Sequence, residues 1–299
     1  MITQELKNKV LTAIKERREM YNSDAKFAVT LGISAAQMSR IKSGDTDKVL
    51  SDANWISIAR KLDVTLGNAP AWQTAKTPVF EFITAQMEMC QQNALSALLC
   101  DLSDIGKTYT AVHYAKTHKG VAYIDCSQVK SKQKLIRAIA KEFGSSHTGR
   151  YADVYADLVF YLRSLPTPFI VLDEAGDLDY TAFLELKALW NATEGTCGWY
   201  MMGADGLKEK MRRSIYCKKV GYTELFSRFG KRYGKCVPVA REESEKMLAA
   251  SAAMIIRANQ TQDTGNQTQG INVILRKCMG EDNMPSLRRI YKELSKINN

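Results

Sequence analysis

Apolar positions along the chain change period part-way through. Across residues 1–66 they recur at helical spacing, with Leu6, Val10 and Ile14 first, Trp55, Ile58, Ala59 and Leu62 last, and charged residues between them; that period predicts helices throughout. From residue 78 onward, short apolar runs alternate with amphipathic stretches. The runs ending at Cys100, over Val121–Cys126, over Phe169–Leu172 and over Gly198–Gly203 predict strands. The stretches from about 79 to 91, from Thr108 to Lys119, from Lys132 to Phe143 and from 151 to 164 predict helices. Alternation of this kind indicates an α/β core, a parallel sheet covered on both faces. Pro70 and Pro78 bound a linker at 67–77, which separates an all-α segment (1–66) from the core (78–240). Residues 241–299 predict a small helical domain, with a polar loop at 259–270 rich in Gln, Asn, Thr and Gly.

The run Leu98–Cys100 leads into a loop that closes in Gly106-Lys107-Thr108 before a helix. This is the tail of a phosphate-binding loop. Backbone N–H groups and a helix N-terminus face the anion, the lysine reaches the terminal phosphates and the hydroxyl ligates Mg²⁺. Candidate nucleotide contacts are Asp101, Leu102, Ser103, Asp104, Ile105, Gly106, Lys107, Thr108 and Tyr109. The usual spacing asks for glycine at 101, and many such loops carry another at 104; this chain has aspartate at both. A non-glycine residue resists the positive φ of a tight turn. Each carboxylate also costs on the order of 1 kcal/mol beside a triphosphate unless it turns outward.

Phe169-Ile170-Val171-Leu172-Asp173-Glu174 is the second anchor, a buried strand that delivers two carboxylates to its C-terminal edge. Asp173 is placed to hold Mg²⁺ together with Thr108, and Glu174 to orient or deprotonate the attacking water. After the strand Gly198–Gly203, Asp205 is the nearby polar residue and a weak candidate for the position between the carboxylates and the terminal phosphate. Arg228, in Leu225-Phe226-Ser227-Arg228-Phe229-Gly230, suits a finger toward the phosphates of a neighbouring subunit, with a DNA phosphate contact as the alternative and Arg232 able to exchange roles. Arg288, with Arg289 as fallback, opens a helix and is a candidate sensor of the terminal phosphate.

Charge adds a polyanion to the picture. Of the net +10, nearly all lies in residues 207–241, where eleven Lys and Arg face two acidic residues. Such a segment is an electrostatic footprint for nucleic acid. No apolar run approaches the roughly 20 residues needed to cross a bilayer, and the N-terminus has no signal-like core. Seven scattered cysteines, none at C-x-x-C spacing, fit reduced thiols in a cytoplasmic protein with no membrane partner.

Residues 24–41 carry a further motif. Ala28 supplies the small residue where two helices cross, and Gly32 supplies a turn residue tolerant of positive φ. Phe27, Leu31, Ile33, Met38 and Ile41 fall on buried faces, and Ser34 with Gln37 forms a capping box. The segment resembles the lambda-repressor-like helix-turn-helix family, which would place Gln37, Arg40 and Lys42 on a recognition helix facing DNA. A protein-contact role for the same module stays open.

Taken together, the loop, the Asp-Glu strand, the Ser-Arg-Phe segment and the Leu-Arg-Arg helix resemble an AAA+ ATPase, and with the helix-turn-helix in front the chain is similar to the phage Mu transposition protein B family. The resemblance implies a three-layer αβα P-loop core with a C-terminal helical lid, and ATP and Mg²⁺ as cofactors. It also implies ATP-dependent assembly as helical filaments on double-stranded DNA, with little sequence preference, and recruitment of a transposase. Phosphate contacts would then come from Lys130, Lys132 and Arg150, and from Arg212, Arg213, Lys218 and Lys219 in the basic segment. Two alternatives stand beside it: another AAA+ DNA machine, of the replication-initiator or helicase-loader type, and a non-hydrolysing DNA-binding regulator.

Overall fold

A computed structural model describes residues 2–62, 64, 72–260 and 267–297. The first helices are α1 (Gln4–Arg18), α2 (Asp24–Leu31), α3 (Ala35–Lys42) and α4 (Asp52–Lys61). Each starts where the sequence supplies a hydroxyl cap: Thr3, Ser23, Ser34 and Ser51 accept from the backbone of the first turn. Gly32 closes α2 in the left-handed region at φ 77°, and the Ser34–Gln37 capping box opens α3. Their apolar faces meet around Val10, Phe27, Met38, Ile41 and Trp55. The bundle docks on the rest of the chain through α2. A Cβ at Gly144 would lie 2.3 Å from the Lys26 carbonyl oxygen, so only glycine fits beneath it, and Lys26 stands 4.0 Å over the Tyr161 ring.

The core follows as α5 (Pro78–Gln92), β1 (Ser96–Cys100), α6 (Lys107–Thr117), β2 (Val121–Asp125), α7 (Lys132–Glu142), α8 (Tyr151–Ser164), β3 (Phe169–Asp173), a 3₁₀ turn (Ala175–Asp177), α9 (Tyr180–Ala192), β4 (Gly198–Gly203), α10 (Asp205–Tyr216) and α11 (Tyr222–Arg228). The strands form one parallel sheet in the order β1-β4-β3-β2. Central β3 and β4 are buried along their whole length, whereas edge strand β2 alternates, which is why its run mixes apolar and polar residues. On β4, Trp199 and Met201 face a layer built from α7, α8 and α9, while Tyr200 and Met202 face α5 and α6. The three-layer αβα arrangement expected from the sequence is the one observed.

Register brings Cys100 level with Gly203 and Asp125 level with Asp173. The C-terminal ends of all four strands therefore share one edge. Beyond β1 the sheet extends by a single bridge, Leu99 to Gly234. Cys100 N–H donates to the Gly234 carbonyl at 3.0 Å and Gly234 N–H to the Leu98 carbonyl at 2.8 Å. A Cβ at 234 would stand 2.9 Å from that Leu98 oxygen, so the close approach requires glycine.

The last helices, α12 (Arg241–Asn259), α13 (Gln267–Lys277) and α14 (Leu287–Ile297), pack around Ile256, Ile274, Ile290 and Leu294. The polar loop expected at 259–270 is shorter than the composition suggested: residues 261–266 lie outside the described residues, and helix resumes at Gln267. Glutamine tolerates helix well, and the spacing of Ile271, Ile274 and Cys278 sets a helical period that continues back through Gly270. Of the linker at 67–77, residues 67–71 lie outside the described residues, and 72–77 run without regular structure. Trp72 joins the core of the last helices, and its ring meets that of Tyr291 at 5.0 Å. Among the described residues no helix is long and apolar enough to cross a membrane.

Candidate nucleotide site and its cationic surroundings

At the shared strand edge, β1 gives way to the loop Asp101–Gly106 and α6 begins at Lys107. Gly106 takes φ 99° at the N-cap, and no side chain caps the N–H groups of the first turn. They are left for an anion. Lys107 is buried. Its ammonium donates to the Asp101 carbonyl at 3.0 Å and to the Leu102 carbonyl, which leaves one of its three N–H bonds for a ligand. Burial pulls its pKa down, and the carboxylates of Asp101, Glu174 and Asp173 oppose that shift.

The two sequence anchors meet directly. Thr108 Oγ1 donates to Asp173 Oδ2 at 2.7 Å. Tyr123, which sequence reasoning did not single out, donates to the same oxygen at 2.9 Å, and the Glu174 N–H donates to Oδ1 at 2.9 Å. Asp173 is thus a buried carboxylate held by three donors. Tyr123 became visible only once β2 was paired with β3; its hydroxyl is pushed far up by burial and by Asp173. Glu174 lies just past the strand, exposed, in the left-handed region at φ 48°. Burial of its carboxyl group and then the neighbouring Asp173 raise its pKa.

The two aspartates of the loop behave differently from what their residue type suggested. Asp101 does not take positive φ; the non-glycine residue that does is Asp104, at φ 59°. The strain expected at 101 therefore falls at 104, where aspartate tolerates the left-handed region better than most residues. Asp101 turns away from the phosphate side. Its Oδ2 accepts from the N–H groups of Cys236 (2.6 Å) and Val237 (2.9 Å), and Oδ1 accepts from Leu102 N–H at 2.8 Å. Asp104 turns to α14, where Oδ2 accepts from the Ser286 hydroxyl at 2.7 Å and Oδ1 from the Arg288 N–H at 3.2 Å. The Arg288 guanidinium stands 3.8 Å from the same carboxylate and is otherwise exposed. Tyr109 meets Thr74 of the 72–77 segment at 2.7 Å, while Gln73 and Asn259 bond each other on the α12 side. Residues 72–77 therefore form a strap between the loop helix and the last helices.

Asp205 opens α10, exposed, next to the end of β4. Arg228 lies elsewhere. Its Nε donates to Asn191 Oδ1 at 2.6 Å and its guanidinium stacks 5.2 Å from the Trp190 ring, whose Nε1 donates to Ser96 at the start of β1. That is the opposite edge of the sheet from Lys107 and Asp173.

The cationic candidates fall into two places. Lys130 faces Asp177 at 3.5 Å, and its carbonyl accepts from Asp179 N–H. Lys132 lies 5.4 Å from the Tyr151 ring centre, and Arg150 is the residue that precedes α8. From the basic segment, Lys219 stands 4.1 Å over Tyr180, Lys218 precedes it at φ 52°, Arg212 pairs with Glu209, and Arg213 follows on α10. One member of each set meets the start of α9, Lys130 at Asp179 and Lys219 at Tyr180. On α3, Gln37 is engaged in the capping box and bonds the Val49 carbonyl, Arg40 binds Asp45, and Lys42 binds Asp24.

The sheet order, the uncapped loop helix and the Thr108–Asp173 contact are those of an αβα P-loop fold of the AAA+ type. Residues 90–211 match the family model described as an AAA domain. The chain is 27% identical over 164 residues to the Mu-like prophage FluMu DNA transposition protein B of Haemophilus influenzae, a match covering 54% of this chain and 55% of that protein. The similarity thus spans about half the length of that relative. Two solved structures are similar at 16% identity and a TM-score of 0.45 each: the Aeropyrum pernix Orc1 protein in complex with DNA (78% of this chain, 68% of that one) and Cdc6p from Pyrobaculum aerophilum (75% and 69%).

Proposed function

We propose that the protein is an ATPase that binds double-stranded DNA when loaded with ATP, self-associates on it as a helical filament, and presents that target DNA to a transposase. The observation that carries the nucleotide part is the 2.7 Å bond between Thr108 and Asp173. It joins a helix-start hydroxyl to a buried carboxylate beside an uncapped N-terminus, the donor set that Mg²⁺ with a nucleotide triphosphate requires. Thr108 and Asp173 would hold Mg²⁺, which supplies neutralising charge to the phosphate oxygens. Lys107 and the N–H groups of the first turn of α6 bind the phosphates. Glu174 orients the attacking water and takes its proton. Arg288, exposed beside Asp104, meets the terminal phosphate from α14.

The DNA part rests on Lys130 and Lys219, which meet the start of α9 from the two cationic segments, together with the relative's own name as a DNA transposition protein. Contacts of that kind fall on phosphates and carry little sequence information. The test is DNA binding by the full chain with ATP, with ADP and without nucleotide. Cooperative binding that requires ATP and disappears in Lys107→Ala is the expected result, and electron microscopy would show filaments. Equal binding with and without nucleotide overturns the reading and favours a DNA-binding regulator.

A further inference from the structure

The turn that carries Glu174 is gripped by α10. Leu207 sits between two glycines: a Cβ at Gly176 would come within 3.3 Å of the Leu207 backbone, and one at Gly203 within 2.9 Å of its Cβ. One turn further along α10, Lys210 points inward. Its ammonium donates to the Gly176 carbonyl at 2.7 Å and to the Leu178 carbonyl, and stands 5.2 Å from the Phe183 ring centre. Nearby cations of the basic segment do other things. Arg212 pairs with Glu209 at the surface, and Lys219 lies over Tyr180.

The turn needs a clamp. Glu174 is held at φ 48°, a left-handed conformation that disfavours a residue with a Cβ. Locally it is supported by its own N–H on Asp173 and by the Asp177 N–H donating to its carbonyl at 3.0 Å. The two carbonyls downstream, at 176 and 178, point to the lysine. We propose that Lys210 is a positioning residue for hydrolysis: it fixes the 176–178 turn and so holds the backbone from which Glu174 addresses the attacking water. This rests on the ATPase reading above. It also makes α10 the mechanical link between the cationic surface and the site, because Arg212 and Arg213 ride on the same helix.

Lys210→Met tests this, since it keeps an unbranched aliphatic side chain of similar length and removes the donors; Lys210→Arg returns donors to the same place. In the full chain with Mg²⁺ and ATP, we expect Lys210→Met to lower kcat by about tenfold or more while affinity for a fluorescent ATP analogue stays within about twofold. Amide exchange at 175–179 should accelerate, and Lys210→Arg should recover part of the kcat. An unchanged kcat, an unchanged exchange rate, or a parallel loss of affinity and turnover that arginine does not rescue overturns the proposal. Wild-type turnover that is absent, or insensitive to Glu174→Gln, overturns the hydrolysis reading and this proposal with it. Turnover that depends on Glu174 but ignores Lys210→Met overturns this proposal alone.

Discussion

The Asp104 carboxylate of the phosphate loop accepts from the Ser286 hydroxyl at 2.7 Å, so a loop residue and the N-cap of α14 form one contact across 182 positions. Ser286 in turn caps its own helix by accepting from the Arg289 N–H at 3.2 Å. Asp104 adds a negative charge at the positive end of the helix dipole and accepts from the Arg288 N–H. The last helical unit is therefore tied to the loop that would hold the phosphates. Replacing Asp104 with alanine removes one cap acceptor and the dipole partner, a loss of about 1 kcal/mol. The expected outcome is faster amide exchange at 286–292 with the central strands unaffected. Unaltered exchange there would show that the contact holds nothing.

Asp101 makes a stronger prediction, because it opposes intuition from the motif. Restoring glycine at 101 would bring the loop closer to the usual spacing, yet the carboxylate is buried and receives the N–H groups of Cys236 and Val237. Removing it leaves both donors without their acceptor, at about 1–3 kcal/mol each. Asp101→Gly should lower the stability of the core by about 2–6 kcal/mol, read from the urea midpoint, and Asp101→Asn should do so by less. A variant as stable as the parent would mean that water replaces the carboxylate without loss.

These two residues show where the sequence is readable and where it is not. The strands were visible because parallel central strands are apolar on both faces; Asp173 and Glu174 stood out because they end such a run, and Lys107 and Thr108 because they close the loop that follows one. Asp101 and Asp104 read as liabilities for one physical reason: their partners lie 136 and 182 residues away, and no local pattern encodes such a pairing. Tyr123 escaped notice likewise, since its contact with Asp173 needs the β2–β3 register. The junction of α2 and α3 was legible in its caps and turn, Ser34, Gln37 and Gly32, which are local devices. What those residues do besides capping was not, because Arg40 and Lys42 find acidic partners that helical spacing does not specify.

DNA contact separates the two cationic regions experimentally. Gln37 is bonded on both sides of its amide, so Gln37→Ala should cost about 1 kcal/mol through the lost capping box while leaving DNA affinity within about twofold. Lys219→Ala, by contrast, removes a cation over Tyr180, the residue after the Asp179 whose N–H meets the Lys130 carbonyl. It should weaken binding severalfold and reduce the slope of log affinity against log salt by about 1. Fluorescence anisotropy at four salt concentrations measures both. The reverse pattern would move the DNA path onto α3.

Arg228 sits where it cannot serve its own nucleotide. Through Asn191 and Trp190 it is anchored near Ser96, the first residue of β1, while Lys107 follows the last residue of that strand. Four strand steps separate the two edges, about 13 Å before any loop is added. If Arg228 acts on a phosphate, that phosphate belongs to a neighbouring subunit in the proposed filament. Mixing decides this. Arg228→Ala and Glu174→Gln should each abolish turnover alone, and a mixture of the two should regain part of it, because some interfaces then pair an intact Arg228 with an intact Glu174. No recovery in mixtures that still bind DNA would assign Arg228 to DNA or to the stability of α11, and a mixture more active than wild type is excluded by the counting of interfaces.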